Sequence, residues 1–472
     1  MGAVPSLPYW VRYLAAYATL LRTLRSQIEI AAMLLRLLLL VAAGTLAGPA
    51  WSQTLTVDEA VRRGLEHSRT LEATRAEADA ALAGFRQVRA ERLPTVSSQA
   101  SYMRLSDNIP EIAFSTDFLP GLDTSFTLAP VELNRYYGEL AFEQPLFTGF
   151  RLHNEIEAAR SEAEAAGFAA VQQEADVSFE IRQAYWRLHQ ALAARDAAEE
   201  ALALVDAHLR DVQNQLDAGA ALRSDVLSVQ TRRSEVRLER VESENAVRLA
   251  RLELNRLIGM PFDAVVSPDA EIVFEPLPGD LNALVERALD NRPALHALRA
   301  RVDAFDARVD ATQGAWLPQV ALNGRYVYAR PNQYFFTEQE AFRGTWEAGV
   351  AMRWNIWDGG SKLAETRRSR AQFDAAEARL AAATEAVTLE VARQYLEAQA
   401  ATESIVAASQ HVEETEEVLR VMRQQYVQGA ALSADVLEAE QALRAARARV
   451  ARSRADYAIA RAALRNALGE VW

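Results

Sequence analysis

The sequence contains no cysteine. Disulfide frameworks, thiolate metal sites and cysteine nucleophiles are therefore excluded. Glycine and proline are also scarce, at 20 and 15 of 472 residues, which leaves few positions for loops and favours long helices. The formal net charge is −13, which argues against a nucleic-acid partner, because phosphate binding needs basic patches. Walker, dinucleotide-binding and His-Glu-x-x-His motifs are absent, so the sequence gives no support for an enzyme and predicts no cofactor or metal site.

The first 52 residues have the pattern of an export signal. Residues 33–36 (Met-Leu-Leu-Arg) precede an apolar run from Leu37 to Gly48, and the small residues around Trp51 follow it. This run is too short to span a bilayer, and the order of charged, apolar and small residues is typical of a secretory signal. We predict an N-terminal extension and signal peptide over 1–52, with translation starting at Met33. The alternative is a buried N-terminal helix.

The second half of the chain repeats the first. Corresponding residues lie 210 positions apart, as in the pairs Tyr185 and Tyr395, Gly219 and Gly429, and Asp225 and Asp435. Upstream, Leu93-Pro94 corresponds to Leu317-Pro318 at a separation of 224, so the first half has 14 more residues between these markers. We predict repeat 1 over 53–275 and repeat 2 over 276–472.

Each repeat is predicted to contain two helices, a β-hairpin and two long antiparallel helices. The hairpins fall at about 94–147 and 318–357, and the long helices at about 151–217, 223–258, 361–428 and 433–468. The first long helix of each repeat lacks proline and would be roughly 100 Å long at 1.5 Å per residue. Its apolar residues near the C-terminal end follow the 3-4 spacing of a coiled coil, as in Val205, Leu209 and Val212.

The predicted strands alternate between apolar and polar residues. We predict a membrane-facing set consisting of Leu140, Phe142, Tyr326, Trp346, Val350, Met352 and Trp354. Strands of about ten residues match the length of a transmembrane β-strand. A soluble sheet with one face on a core is the alternative, but rods of this length favour the membrane interpretation. Four strands cannot close a barrel and open edges do not persist in lipid, so spanning strands would require an oligomer.

These residues resemble the outer membrane efflux proteins, the TolC-like channel tunnels of Gram-negative bacteria. The resemblance covers about 53–472 and is based on the tandem repeat, on Leu93-Pro94-Thr95-Val96 and Leu317-Pro318-Gln319-Val320 before the strands, and on 144–149 and 355–360 at the strand-to-helix joints. It implies an α+β membrane protein: a homotrimer with a 12-stranded barrel in outer membrane lipid and a helical tunnel through the periplasm. It also implies export of small molecules or proteins, together with a periplasmic adaptor and an inner-membrane transporter.

The resemblance assigns a gate to the turn between the long helices of repeat 2. Asp435 and Glu438 would form a ring of carboxylates at the periplasmic entrance, and their i, i+3 spacing places both on one helix face. Asp435 also lies in the first helical turn, so helix capping is the alternative role, and the two roles are compatible.

The resemblance also assigns a latch and a docking surface. Tyr426 and Asp225 occupy latch positions, and a hydrogen bond between them would restrain the second hairpin. The family often has an arginine in the second tip, where this chain has Ala431, and Arg223 is the candidate replacement. Tyr426 is equally the last residue of the coiled-coil seam. The small tip residues are the predicted adaptor-docking site: Gly219, Ala220, Ala221, Leu222, Gly429, Ala430, Ala431 and Leu432. A periplasmic coiled-coil adaptor or structural protein is the alternative function.

Overall fold

The structure, a computed structural model, describes residues 53–109, 112–115, 125–129, 132–269, 277, 279–335 and 340–470. Repeat 1 contains β1 (Gln53–Leu55), α1 (Val57–His67), α2 (Arg69–Ala90), β2 (Thr95–Arg104), β3 (Ile112–Ser115), β4 (Ser125–Ala129), β5 (Asn134–Phe147), α3 (Arg151–Asp217), α4 (Arg223–Leu257) and β6 (Val266–Pro268). Repeat 2 contains α5 (Leu281–Asn291), α6 (Pro293–Gly314), β7 (Gln319–Arg330), β8 (Arg343–Arg353), α7 (Ser361–Val427) and α8 (Ser433–Ala467). The predicted signal peptide with Met33, and the predicted boundary between 275 and 276, lie outside the described residues.

The two repeats have helices of equal length. Corresponding helices contain 11, 22, 67 and 35 residues in each repeat. The elements up to the first strand are offset by 224 positions, as in Thr95 and Gln319, and the long helices by 210, as in Arg151 and Ser361. The 14 additional residues therefore lie in the first hairpin. Its connection contains the small β3–β4 hairpin, which the alternation pattern does not indicate.

Side-chain caps explain where several helices begin. Thr56 accepts a hydrogen bond from the Glu59 amide at 3.3 Å, and Ser68 accepts one from the Leu71 amide at 3.2 Å. These caps satisfy amides that have no carbonyl partner within the helix. In repeat 2, Asp280 caps α5 and Pro293 occupies the first position of α6, where its missing N–H has no consequence. In the described part of the chain, no helix is long and apolar enough to cross a membrane.

The two hairpins join into one antiparallel sheet with the strand order β2-β5-β7-β8. The register places Leu140 beside Tyr326, which in turn lies beside Trp346. Since side chains alternate between faces, these residues share one face. Phe142, Val350 and Met352 follow on the same face by register. Most large side chains of this face are exposed in the single chain, with 78% exposure at Trp346 and 65% at Val350, and Phe142 is half-buried.

The structure corrects the predicted strand at Trp354, which the alternation pattern includes in the strand. β8 ends at Arg353, so Trp354 lies one residue beyond the strand. Its indole Nε1 donates a hydrogen bond to the carbonyl oxygen of Trp316 at 3.1 Å. The period-two alternation continues to Ile356 in the sequence, but the backbone leaves the sheet before it, because the chain must turn into α7.

The opposite face of the sheet is polar. Arg325 forms an ion pair with Glu347 at 2.5 Å and lies 3.9 Å from Glu139 on the neighbouring strand. These three side chains connect β5, β7 and β8 across the sheet. The sheet thus has one apolar and one charged face, as expected for strands between lipid and water.

The helices pack around separate apolar cores. The core beside the two-stranded β1–β6 sheet surrounds the fully buried Tyr185, whose hydroxyl donates to the Leu55 carbonyl at 2.8 Å. Burial raises the pKa of Tyr185 to about 12. Each pair of long helices has its own core near the tip, around Val212 in repeat 1 and Leu419 in repeat 2. The coiled-coil spacing of the sequence therefore corresponds to real helix–helix contacts.

We expect Gly149→Ala to destabilise the folded chain by about 2–5 kcal/mol, from a left-handed backbone and from overpacking. Gly149 has φ +65°, and a Cβ there would lie 2.4 Å from the carbonyl oxygen of Gly314. Urea unfolding in detergent, followed by tryptophan fluorescence, measures the loss. Gly219→Ala is the matched control, because φ is +76° there but no atom lies within 4 Å of the added Cβ. Equal losses in both variants would contradict the packing argument.

Candidate functional site at the helical tips

The turn between the long helices has the same geometry in both repeats. In repeat 1, Gly219 adopts φ +76°, and the amide of Ala220 donates to the Gln215 carbonyl at 2.8 Å. This is a Schellman ending, in which glycine accepts the left-handed conformation without steric cost. In repeat 2, Gly429 adopts φ +74°, and the amide of Ala430 donates to the Gln425 carbonyl at 2.9 Å.

An aspartate occupies the third position of the second helix of each pair. The Asp225 carboxylate accepts from the Leu222 amide at 3.0 Å, and the Asp435 carboxylate accepts from the Leu432 amide at 2.8 Å. Each side chain therefore satisfies an amide at the start of its helix, which is the reciprocal half of a capping box. The capping role considered for Asp435 is thus present in the structure.

Glu438 differs from Asp435 in its surroundings. It lies one turn further along α8, is exposed, and has no hydrogen bond or ion pair within the described residues. Glu440, two residues later, is instead bound to Arg423 at 2.8 Å and its side chain is only 8% exposed. Glu438 is therefore the carboxylate of the predicted pair that is available to a cation or to another copy of the chain.

The tip residues predicted to dock a partner lie mostly at the surface. The glycines, the first alanine of each turn and both leucines are exposed, with 69% exposure at Leu222 and 71% at Leu432. Ala221 and Ala431 are half-buried. Each tip thus presents a small apolar surface flanked by polar residues.

The predicted bond between Tyr426 and Asp225 is not present in the chain. The Tyr426 hydroxyl donates to the side-chain oxygen of Gln215 on α3 at 2.7 Å, and Asp225 is occupied by the Leu222 amide. Tyr426 also packs against the apolar core of its own hairpin, so its seam position and its polar contact coexist. Arg223 is exposed at the first position of α4 and pairs with no carboxylate in the part of the chain that the structure describes.

A second contact between the hairpins involves His208, which the sequence gave no reason to single out. Its Nε2 atom lies 2.9 Å from the Ser433 hydroxyl at the start of α8, and its ring lies 5.9 Å from that of Tyr426. Burial lowers the pKa of His208. The carboxylates of Glu440 and Asp211 oppose this shift, whereas the positive charge of Arg423 adds to it. No spacing pattern in the sequence indicates His208 or Gln215, because their partners lie more than 200 residues away.

No three His, Asp or Glu side chains cluster as metal ligands among the residues that the structure describes. The site consists instead of two capped turns, an exposed carboxylate and two hydrogen bonds between hairpins. Such an arrangement positions charges and restrains helices.

Comparison with known proteins identifies the class. Residues 60–260 and 284–470 match the family described as outer membrane efflux protein, so the two matched segments follow the two repeats. The alkaline protease secretion protein AprF of Pseudomonas aeruginosa is 24% identical over 71% of this chain and 69% of its own length. The outer membrane efflux protein BepC of Brucella suis is 24% identical over 80% and 82%. The solved structure of the outer-membrane channel OprN aligns with a TM-score of 0.74 at 22% identity, covering 88% of this chain and 89% of that one.

The chain belongs to the outer membrane efflux protein family. It has the predicted α+β fold of TolC-like channels and is an export channel of the outer membrane with a large periplasmic portion. The alternative, a periplasmic adaptor or structural coiled coil, is not supported. The proteins to which the chain is similar are channel proteins rather than enzymes.

Proposed function

We propose that three copies of the chain close into a 12-stranded barrel in the outer membrane and a helical tunnel across the periplasm. The observation that supports this most strongly is the open four-stranded sheet, whose apolar face is exposed. Its edge strands β2 and β8 have no second pairing partner among the described strands of the single chain. Unpaired edges and exposed backbone are not tolerated in lipid. Pairing β8 of one copy with β2 of the next removes both edges.

In this proposal the tip of repeat 2 closes the periplasmic entrance. Asp435 lies in the first turn of α8 and Glu438 lies one turn further along it, without a partner in the described chain. Three copies would place both carboxylates around the axis of the tunnel. A ring of acidic side chains favours cations and excludes anions from a narrow pore.

The restraint on the second hairpin comes from contacts between the two repeats. The Tyr426–Gln215 and His208–Ser433 hydrogen bonds connect α7 and α8 to α3. Separating the hairpins breaks both hydrogen bonds and exposes the apolar side chains that pack around Tyr426. The closed arrangement is therefore favoured when no partner is bound. Asp225 acts through the α4 cap. Arg223, which pairs with no carboxylate among the described residues, would bind a carboxylate of a neighbouring copy.

The exposed tips are the proposed docking surface for a periplasmic adaptor, through which the channel meets an inner-membrane transporter. Leu222 and Leu432 provide the apolar contact, and the adjacent small residues allow close backbone approach. A secretion protein and an efflux protein are both 24% identical to this chain. We therefore propose that the partner pump, rather than the channel, determines which substrate is exported.

Single-channel recording in a planar bilayer tests the proposed function. Purified wild-type protein is expected to insert and give small, cation-preferring conductance steps, because the carboxylate ring limits the entrance. Correctly trimeric protein that never forms pores would show that the strands do not span lipid, and the proposal would be abandoned.

A further inference from the structure

A groove of about 320 Å³ opens where the strands of repeat 1 meet α3. Its apolar floor contains Leu146, Phe147 and Phe150, and its rim contains Arg92 and His153. Leu146 and Phe150 are 57% and 61% exposed. Exposed large apolar side chains next to an arginine indicate a binding surface rather than a packing defect.

The groove opens on the apolar side of the sheet. Phe147 lies beside Val320, which lies beside Met352 on the membrane-facing side. The Phe150 ring packs edge-on against Phe147 with ring centres 5.5 Å apart. The floor of the groove is therefore continuous with the apolar face of the sheet, at the end of the strands nearer the long helices.

Repeat 2 has different chemistry at the same place. In each repeat a side chain donates to the carbonyl that precedes the Leu-Pro motif: Gln144 to Arg92 at 2.7 Å, and Trp354 to Trp316 at 3.1 Å. Arg92 thus corresponds to Trp316, whose ring receives the ammonium of Lys362 at 5.4 Å. The backbone connection is the same in both repeats, but repeat 1 has an arginine beside a groove, whereas repeat 2 has an indole with the lysine ammonium over its face.

Phe150 is in an unfavourable backbone conformation. Among the described residues it is the only non-glycine residue with positive φ, at 65°, and the corresponding residue of repeat 2 is Gly360, at 92°. A bulky residue in the left-handed region is a genuine outlier. Phe150 thus lies at a position where glycine would fit the backbone better, and its ring lines the floor of the groove.

The charges of the groove favour an anion. Its lining includes Arg92 and His153 and no carboxylate. Arg92 Nη2 lies 3.1 Å from His153 Nδ1, and Arg92 has no carboxylate within 4 Å in the described chain. A phosphate would accept hydrogen bonds from the guanidinium, whereas the ammonium of a zwitterionic headgroup would find no acidic partner there.

We propose that this groove binds an anionic phospholipid of the inner leaflet of the outer membrane, with its phosphate at Arg92 and His153 and an acyl chain against Phe147 and Phe150. The inference depends on the proposed position of the sheet in lipid. It assigns a lipid site to repeat 1 and none to the corresponding place in repeat 2.

Native mass spectrometry of the detergent-solubilised trimer tests the site. The trimer is titrated with phosphatidylglycerol and, separately, with phosphatidylethanolamine of the same acyl chains. The wild type is expected to retain phosphatidylglycerol at up to one tightly held lipid per chain and to release phosphatidylethanolamine more readily. Arg92→Ala and Arg92→Trp, the latter copying repeat 2, are expected to weaken phosphatidylglycerol binding about tenfold, as for the loss of one charge-assisted contact.

Two further variants separate binding from folding. Phe150→Gly is expected to lose lipid while its thermal stability stays equal or rises, because glycine relieves the positive φ. Arg89→Ala removes an exposed arginine from the last turn of α2, outside the groove, and its lipid binding is expected to equal that of the wild type. Equal lipid retention by wild type and Arg92→Ala, or equal retention of both lipids by the wild type, would show that the groove is not an anionic lipid site.

The two proposals fail separately. If trimers form pores but show no lipid preference, the proposed function stands and only the lipid site is wrong. If trimers form no pores, the proposed function itself is wrong.

Discussion

Replacing Asp435 with Asn and Glu438 with Gln together is expected to raise the single-channel conductance several-fold and to reduce the preference for cations. In the proposed trimer these changes remove the negative charge around the narrowest part of the entrance. Acidic rings attract and retain cations and repel anions, most strongly where the pore is narrow and poorly solvated. Block by multivalent cations is expected to weaken in the same variant. Recordings in planar bilayers at matched salt concentrations measure all three properties.

The chosen substitutions separate charge from helix capping. Asparagine at position 435 keeps a side-chain oxygen to accept from the Leu432 amide, which Asp435 accepts at 2.8 Å, so the cap is retained while the charge is lost. The double variant Asp435→Ala/Glu438→Ala removes both the charge and the cap at position 435. Asp225→Ala is the matched control, because Asp225 makes the same cap at 3.0 Å in repeat 1. If Asp225→Ala alone reproduced the larger conductance, the carboxylates would act through capping and the gate assignment would be wrong.

Cysteines introduced at Met352 and Ala100 are expected to form a disulfide between neighbouring copies in high yield. The prediction follows from the internal repeat. Within each hairpin, Val96 pairs with Phe142 and Val320 pairs with Met352, so β5 corresponds to β8 and β2 to β7 without a change in register. The contact between the hairpins pairs Phe142 with Gly324. Its equivalent between copies pairs Met352 with Ala100.

The geometry of an antiparallel pair makes this test selective. Directly opposite Cβ atoms lie about 4.5–5.5 Å apart and diagonal ones about 7–8 Å apart, while a disulfide needs Cα atoms within about 7 Å. Met352→Cys with Ser98→Cys, one pleat away on the same face, is the control and is expected to link poorly. The chain has no native cysteine, so every link arises from the introduced pair. Oxidised dimers and trimers on non-reducing gels give the readout, and stronger linking of the control pair would mean a different register or no barrel.

The periodicity of the sequence was sufficient for most of the secondary structure. The long helices follow from proline-free runs, and α3 begins and ends at Arg151 and Asp217, as the composition indicates. The two hairpins follow from alternation and from Leu93-Pro94 and its repeat. The glycine turns at 219 and 429 and the caps at Asp225 and Asp435 are also local, because each depends on residues within a few positions.

The contacts between distant elements were decided by the tertiary structure. Periodicity does not indicate that β5 pairs with β7, that Tyr426 binds Gln215 rather than Asp225, or that His208 meets Ser433. Nor does it show that β8 ends before Trp354, where the alternation continues but the chain turns toward α7. Local patterns specify helices, strands and turns, since those depend on neighbouring residues. Hydrogen bonds across more than 200 positions, and the groove beneath Arg92, depend on how those elements pack in three dimensions.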